Sequence, residues 1–382
     1  MIRILHTADW HLGREFHGRD LGTLHEAFFD WMEHEIETRE IDLLLMAGDI
    51  YDRALPPVSA VELFNRRVAR LSDLTKVVMI TGNHDSAVRM GHGPLLKPAI
   101  HLRCGVRRLG EPVLIEHPFP LAVYPIPYLD PPTMSSLLDL DENSHDAVLG
   151  EAVRRCREDL AGHPGTRSVA VGHAFITGSE TSESERSIRI GGSENVDASV
   201  FDGFDYVALG HLHQPQEVAK RVRYAGSPIP LSFSELDAGE PKSVTVIELD
   251  ATGSIETETV EIPQLVEMAR IEGELDRLCN DPEFSEYENV WLEVKLTDHP
   301  RPNRPMDLLR ARFPDVLSLR FDAPLAGDHG TLEAAEIKQL KPIEVVSQFL
   351  EHVRGEDGGP DEQERKLLDR AFDEETGKDV RA

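Results

Sequence analysis

Five short motifs carry residue types that could do chemistry: Asp9-Trp10-His11, Gly48-Asp49 within AGDIYD, Gly82-Asn83-His84-Asp85, Gly172-His173 and Gly210-His211-Leu212-His213. Together they offer imidazoles, carboxylates and one amide oxygen, a donor set that suits borderline divalent ions. Alternate residues of an extended segment share a face, so the Asp-x-His and His-x-His pairs each present two donors together. Asp49 is the natural bridge, because a carboxylate has two oxygens to share. Asp9 and Asp49 would supply about two negative charges against four positive from two ions, leaving a surplus that attracts a phosphodiester. Taken singly, each histidine reads as a hydrogen-bonded structural residue. As an ordered set they read as a candidate centre for two divalent ions.

Such a set needs elements that bring distant residues together. Each motif follows an apolar, strand-like run, at residues 2–7, 42–46, 77–80, 168–171 and 206–209, with another such run at 121–126. Loops at the carboxyl ends of strands converge on one crevice in a layered α/β fold. The glycines beside the ligands permit sharp turns and close backbone approach. Helical periodicity covers 24–36, with Leu24, Phe28, Trp31, Met32 and Ile36 on one face, and 58–71, where Val61, Phe64, Val68 and Leu71 form a stripe. Strands follow at 243–249 and 255–262. From residue 264 the pattern changes to a helix (265–278), a strand (290–296), a helix (306–313) and a strand (316–321), a small βαβ-like unit. Residues 323–330 read as a Pro/Gly linker, and 333–353 and 363–372 as amphipathic helices.

A chain of 382 residues predicts two to three domains. The net charge of -29 argues against a protein that grips nucleic acid unaided through a generally basic surface, but not against DNA as a substrate. Cys104, Cys156 and Cys279 are scattered and form no disulfide framework, which suits a reducing cytoplasm. The apolar runs are too short to cross a bilayer, and a strand-like run begins at once, so neither a membrane span nor a signal peptide is expected.

In this order the five motifs resemble the calcineurin-like metallophosphoesterase superfamily. The stretches ILHTADWHLGR, AGDIYDRALPP, GNHDSAVRM and LGHLHQPQ resemble, through most of residues 1–260, its SbcD family of nuclease subunits. The resemblance implies an α/β fold: a layered β-sandwich flanked by helices (1–263), a small α/β DNA-capping domain (264–325) and a C-terminal helical segment (331–382). It implies Asp9, His11, Asp49 and His213 around one metal, Asp49, Asn83, His173 and His211 around the other, and His84 as the catalytic histidine. Two Mn2+ are the expected cofactors, with Mg2+ or another divalent ion as the alternative. The expected activity is double-strand exonuclease and single-strand endonuclease cleavage of DNA ends and hairpins in repair and recombination. The expected partner is an SbcC-like coiled-coil ATPase in a heterotetramer, met by the tail through Leu340, Val346, Phe349, Leu368 and Phe372.

Other residues stay open at this level. Arg14, Arg53 and Arg89 follow three of the motifs and read equally as contacts to DNA phosphates or as salt bridges on an acidic surface. Arg186 and Arg189 share that ambiguity in a polar site-flanking segment. Asp85 could orient His84 or cap a turn, with the turn slightly favoured; Asp52 could support the site or lie at the surface. The stripe on 58–71 could build a homodimer or pack on its own core. Two further functions compete: a phosphatase or cyclic-nucleotide phosphodiesterase on the same core, and a non-catalytic scaffold. The added small domain and tail favour the nuclease over the first, and the complete donor set with His84 counts against the second.

Overall fold

A computed structural model describes residues 1–91, 97–185, 196–299, 301–321, 344–347, 349–350, 359–368 and 370. The chain divides into two compact units, Met1–Ala269 and Arg270–Ala382.

In chain order the first unit contains β1 (Ile2–Thr7), β2 (Glu15–Phe16), β3 (Arg19–Asp20), α1 (Gly22–Thr38), β4 (Leu43–Ala47), α2 (Val58–Leu74), β5 (Lys76–Ile80), α3 (Ala87–Met90) and β6 (Ile100–Arg103). Then come β7 (Val113–Ile115), β8 (Leu121–Ile126), α4 (Pro131–Leu138), α5 (His145–Ala161), β9 (Arg167–His173), β10 (Tyr206–Gly210), β11 (Gln216–Ala219), β12 (Val222–Tyr224), β13 (Ser243–Leu249) and β14 (Ile255–Glu261). They build two six-stranded sheets, ordered β14-β13-β1-β4-β5-β6 and β11-β12-β10-β9-β8-β7. The central neighbours are parallel: β1, β4, β5 and β6 in the first sheet, and β8, β9, β10 and β12 in the second.

The strands explain the layers. In β4, Leu43, Leu45 and Ala47 face the second sheet, while Leu44 and Met46 face α1 and α2. A parallel strand covered on both faces needs such an unbroken apolar run. The inner faces of both sheets share one core, with Ile4, Val78, Val123, Val171 and Ala208 among its residues. Another core lies between the second sheet and α5, through Tyr124, Val148, Ala152, Ala170 and Leu209. The result is an α/β/β/α layered sandwich, the fold class expected. Helix α5 had no counterpart in the expected elements, although Ser144 caps it by accepting from Ala147 N at 3.1 Å and Val148, Ala152 and Cys156 make its stripe.

The α2 stripe lies in a third core, between the first sheet and the helices α1 and α2. Phe64, Val68 and Leu71 are 7%, 2% and 0% exposed and pack with Phe28, Met32 and Ile36 of α1, Val61 joining them half-buried. Of the two readings left open for these residues, own-core packing is the one their burial fits: sequence periodicity marks a face that must be covered, and here the chain covers it itself.

The second unit holds most of β15 (Met268–Gly273), with α6 (Leu275–Asn280), β16 (Trp291–Leu296), α7 (Pro305–Arg312) and β17 (Val316–Phe321). Its sheet runs β15-β16-β17, and β16 and β17 are parallel across α7, a βαβ unit. The helix expected over 265–278 is a strand followed by a short helix. Leu265, Met268, Ile271, Leu275 and Leu278 recur at helical spacing, which misleads. Pairing with β16 overrides it, reinforced by Arg270–Glu293 at 2.7 Å and Lys295–Glu272 at 3.1 Å. In the tail, 344–347, 349–350, 362–368 and 370 are helical. Phe349 is 62% exposed, and Val346 and Leu368 are half-buried. Leu340 and Phe372 lie outside the described residues, as do Arg186 and Arg189. Among the described residues no helix is long and apolar enough to cross a membrane.

Candidate metal centre

The carboxyl ends of β1, β4 and β5 in one sheet and of β9 and β10 in the other carry the five motifs. Asp9, His11, Asp49, His173, His211 and His213 are all 4% exposed or less, and Asn83 is half-buried. The turns that deliver them are sharp. Asp9, His11, Asp49 and His211 adopt positive φ of 53°, 47°, 52° and 109°, which non-glycine residues hold only where the surroundings fix them. Two glycines are needed for close approach: a Cβ on Gly82 would strike the Asp49 carboxylate, and one on Gly210 would strike the Ala47 carbonyl.

The donor atoms crowd around Asp49. Its Oδ2 lies 3.5 Å from His173 Nε2, 3.7 Å from His11 Nε2 and 3.8 Å from His84 Nε2. His11 Nε2 and His213 Nε2 are 3.0 Å apart on one side. On the other, Asn83 Oδ1 lies 2.8 Å from His173 Nε2 and 3.1 Å from His211 Nδ1. Asp9, His11 and Asp49 form one group able to hold a cation, and Asp49, His173 and His211 another. His11, Asp52 and His84 form a third such group, but Asp52 is its more exposed member and already faces Arg14.

Protonation tests whether a cation fits. Burial, first of all, holds His11 and His211 well below the usual imidazole range and lowers His173 as well. His173 Nδ1–H donates to the Ala47 carbonyl at 2.9 Å, so its Nε2 bears a lone pair. That lone pair faces the Asn83 carbonyl oxygen, two acceptors with no proton between them. Buried His11 Nδ1 has no hydrogen-bond partner. Burial, and then the charge of Asp49, drives the Asp9 carboxyl well above its usual range, although His211 N donates to both its oxygens at 3.0 and 3.1 Å. Convergent lone pairs and adjoining buried carboxylates fit divalent cations and fit little else.

His84 is arranged differently. Its backbone N–H donates to Asp49 Oδ1 at 2.8 Å, and its ring Nδ1–H donates to the Asp52 carbonyl at 2.7 Å, turning Nε2 towards Asp49 Oδ2. The Asp85 carboxylate accepts from the backbone N–H groups of Ile50, Tyr51 and Gly82 at 3.1, 2.9 and 2.9 Å, so it ties two loops together and does not touch the His84 ring. Burial, with Asp49 next, raises Asp85 to about 7. Asp52 holds His84 through its carbonyl, while its carboxylate lies 3.4 Å from Arg14. Arg14 is thus ion-paired beside the centre, whereas Arg53 and Arg89 are exposed.

Four residues escaped the sequence reading. Ser184, Glu185, Glu235 and Lys242 surround His213, and no motif surrounds them; a lone serine or lysine in a polar stretch gives no signal. His25 and His6 are the converse: buried histidines that hold carbonyls, His25 that of Trp10 at 2.6 Å and His6 that of Leu209 at 3.1 Å.

Residues 2–215 match the family model described as calcineurin-like phosphoesterase, and residues 264–354 match SbcD_C, described as the type 5 capsule protein repressor C-terminal domain. The chain belongs to the calcineurin-like phosphoesterase family. Its two matched domains together support a nuclease of the SbcD type. Two solved structures are loosely similar. TT1561 of Thermus thermophilus has 13% identity and a TM-score of 0.40, over 68% of this chain and 99% of that one. GAP50, the anchor in the inner membrane complex of Plasmodium, has 11% identity and a TM-score of 0.38, over 86% of this chain and 99% of that one.

Proposed function

We propose that this protein is a two-metal phosphodiesterase that cleaves DNA at ends and hairpins. The observation that carries the reading is the convergence of six donor residues around the Asp49 carboxylate, with His84 beside it and outside the donor set. The SbcD_C match supports DNA over a small phosphoester, because a minimal phosphatase has no use for a further domain.

Asp9, His11, Asp49 and His213 would hold one ion and Asp49, Asn83, His173 and His211 the other, Mn2+ being the proposed metal. Bound divalent ions supply positive charge for the phosphate oxygens and ease deprotonation of water. The chain's own residues do the rest. Asp49 lies between the two donor groups and fixes their separation. The Asp52 carbonyl fixes the His84 tautomer, so that His84 Nε2 faces the reacting phosphate and can stabilise or protonate the leaving oxygen. Exonuclease action on duplex ends and endonuclease action on single strands are the proposed activities. Residues 264–325 serve as the DNA-capping domain, and 331–382 as the segment that meets an SbcC-like ATPase in the cytoplasm.

Purified protein with Mn2+ should cut linear and hairpin DNA and leave phosphoserine and cyclic nucleotides almost untouched. Preference for the small substrates would favour the phosphatase reading, and inertness towards all of them with Mn2+ or Mg2+ would favour the scaffold.

A further inference from the structure

Of the proposed ligands, His213 has the most elaborate support. Its Nδ1 lies 2.6 Å from Ser184 Oγ. Ser184 has one hydroxyl proton; the Glu235 carboxylate, 2.7 Å away at Oε1, is a stronger acceptor for it than the neutral Ser182 Oγ at 2.6 Å. The His213 contact is therefore an N–H donated to the serine oxygen, and His213 Nε2 keeps its lone pair for the centre. Glu235 in turn accepts from Lys242 Nζ at 2.6 Å on its other oxygen. Lys242 also donates to the His213 carbonyl and to Ser227 Oγ, both at 2.9 Å. The backbone N–H of His213 donates to Glu185 Oε1 at 2.9 Å. Glu235, Lys242, Ser184 and His213 are all below 10% exposed. Ring, carbonyl and amide of a single residue are each held by a buried side chain.

His173, the matching ligand from the other group, has only a backbone carbonyl behind its ring. A carbonyl cannot be changed without moving β4. The two halves of the centre are thus supported by different means, one by main chain and one by exchangeable side chains.

We propose that Ser184, Glu235 and Lys242 form a positioning relay that fixes the tautomer and direction of His213, and so sets the affinity of one ion position independently of the other. The proposal rests on the two-metal reading above. Lys242 keeps Glu235 an acceptor-only carboxylate, Glu235 commits the Ser184 proton, and Ser184 is left able only to accept from His213. Supporting hydrogen bonds of this kind typically change metal affinity by about 10–100-fold. The Ser184 side chain is neutral and is not among the proposed ligands, so its effect reaches the metal through His213.

Titration calorimetry with Mn2+, backed by metal stoichiometry on desalted protein, separates the outcomes. Wild type should bind two ions. Ser184→Ala should weaken one of them by about 10–100-fold and leave the other near its original affinity, while Ser184→Thr, which keeps the hydroxyl, should restore it. Two ions bound at wild-type affinity by the alanine variant would overturn the relay and leave the two-metal reading intact; wild type that binds no second ion would remove the two-metal reading itself. Equal weakening of both positions, or no rescue by threonine, would also overturn the relay. Far-UV circular dichroism guards the comparison: if Ser184→Ala does not fold, Ser184→Cys takes its place, and loss of folding in both would show a purely structural serine and overturn the proposal.

Discussion

His84 and the neighbouring Asn83 illustrate how adjacent residues divide the work. Asn83 Oδ1 points among the donors, while His84 is held from behind by a carbonyl. His84→Ala should therefore cut DNA cleavage by about 10²–10⁴-fold with both ions retained. Turnover measured beside metal stoichiometry checks this, and loss of metal along with activity would count against it. His6 carries a different prediction. Burial, above all, holds it down to about 3, against 6.5 in an open chain. The folded protein keeps it neutral while the unfolded chain takes up a proton. Its contribution is therefore intact above pH 6.5 and is lost as pH falls from there towards 3, at about 1.4 kcal/mol per pH unit. Urea midpoints of metal-free protein at pH 7, 6 and 5 should fall more steeply for wild type than for His6→Gln; equal slopes would contradict the assignment. The seven proposed ligands were legible because each sits in a short motif with glycine or a second donor. Ser184 and Lys242 were not, since their roles exist only through a neighbour about thirty residues away in sequence, as the separations of 29 from His213 show.

At the scale of elements, strands were read well wherever a parallel strand is buried on both faces, because β4, β8 and β10 and the central residues of β5 are then continuously apolar. The reading failed at β15, whose apolar residues fit both periods, and it left open whether the α2 stripe meets a partner or its own core. The structure answers the second point. Phe64→Glu would place an unpaired carboxylate in the core shared by α1 and α2, at a cost on the order of 3–5 kcal/mol. Circular dichroism and light scattering should therefore report unfolding or aggregation. A folded monomer produced from a wild-type dimer would restore the interface reading.

At the scale of the whole molecule, the calcineurin-like phosphoesterase match covers residues 2–215 and the second match covers 264–354. On the proposed function, deleting 331–382 should leave metal binding and basal cleavage of short DNA in place while abolishing capture of the proposed SbcC-like ATPase. Co-purification of the truncated chain at full affinity would show that another surface makes the contact. The two sheets have a further consequence. One set of donors hangs from β1, β4 and β5, and the other from β9 and β10, so ions held there would act as a clasp across the rim of the sandwich. Saturation at a hundred times the dissociation constant is worth about 2.7 kcal/mol to the folded state. That energy should be felt unevenly. In hydrogen–deuterium exchange, manganese should quiet the amides at the carboxyl ends of those five strands and leave their amino ends breathing at the same rate with or without the metal.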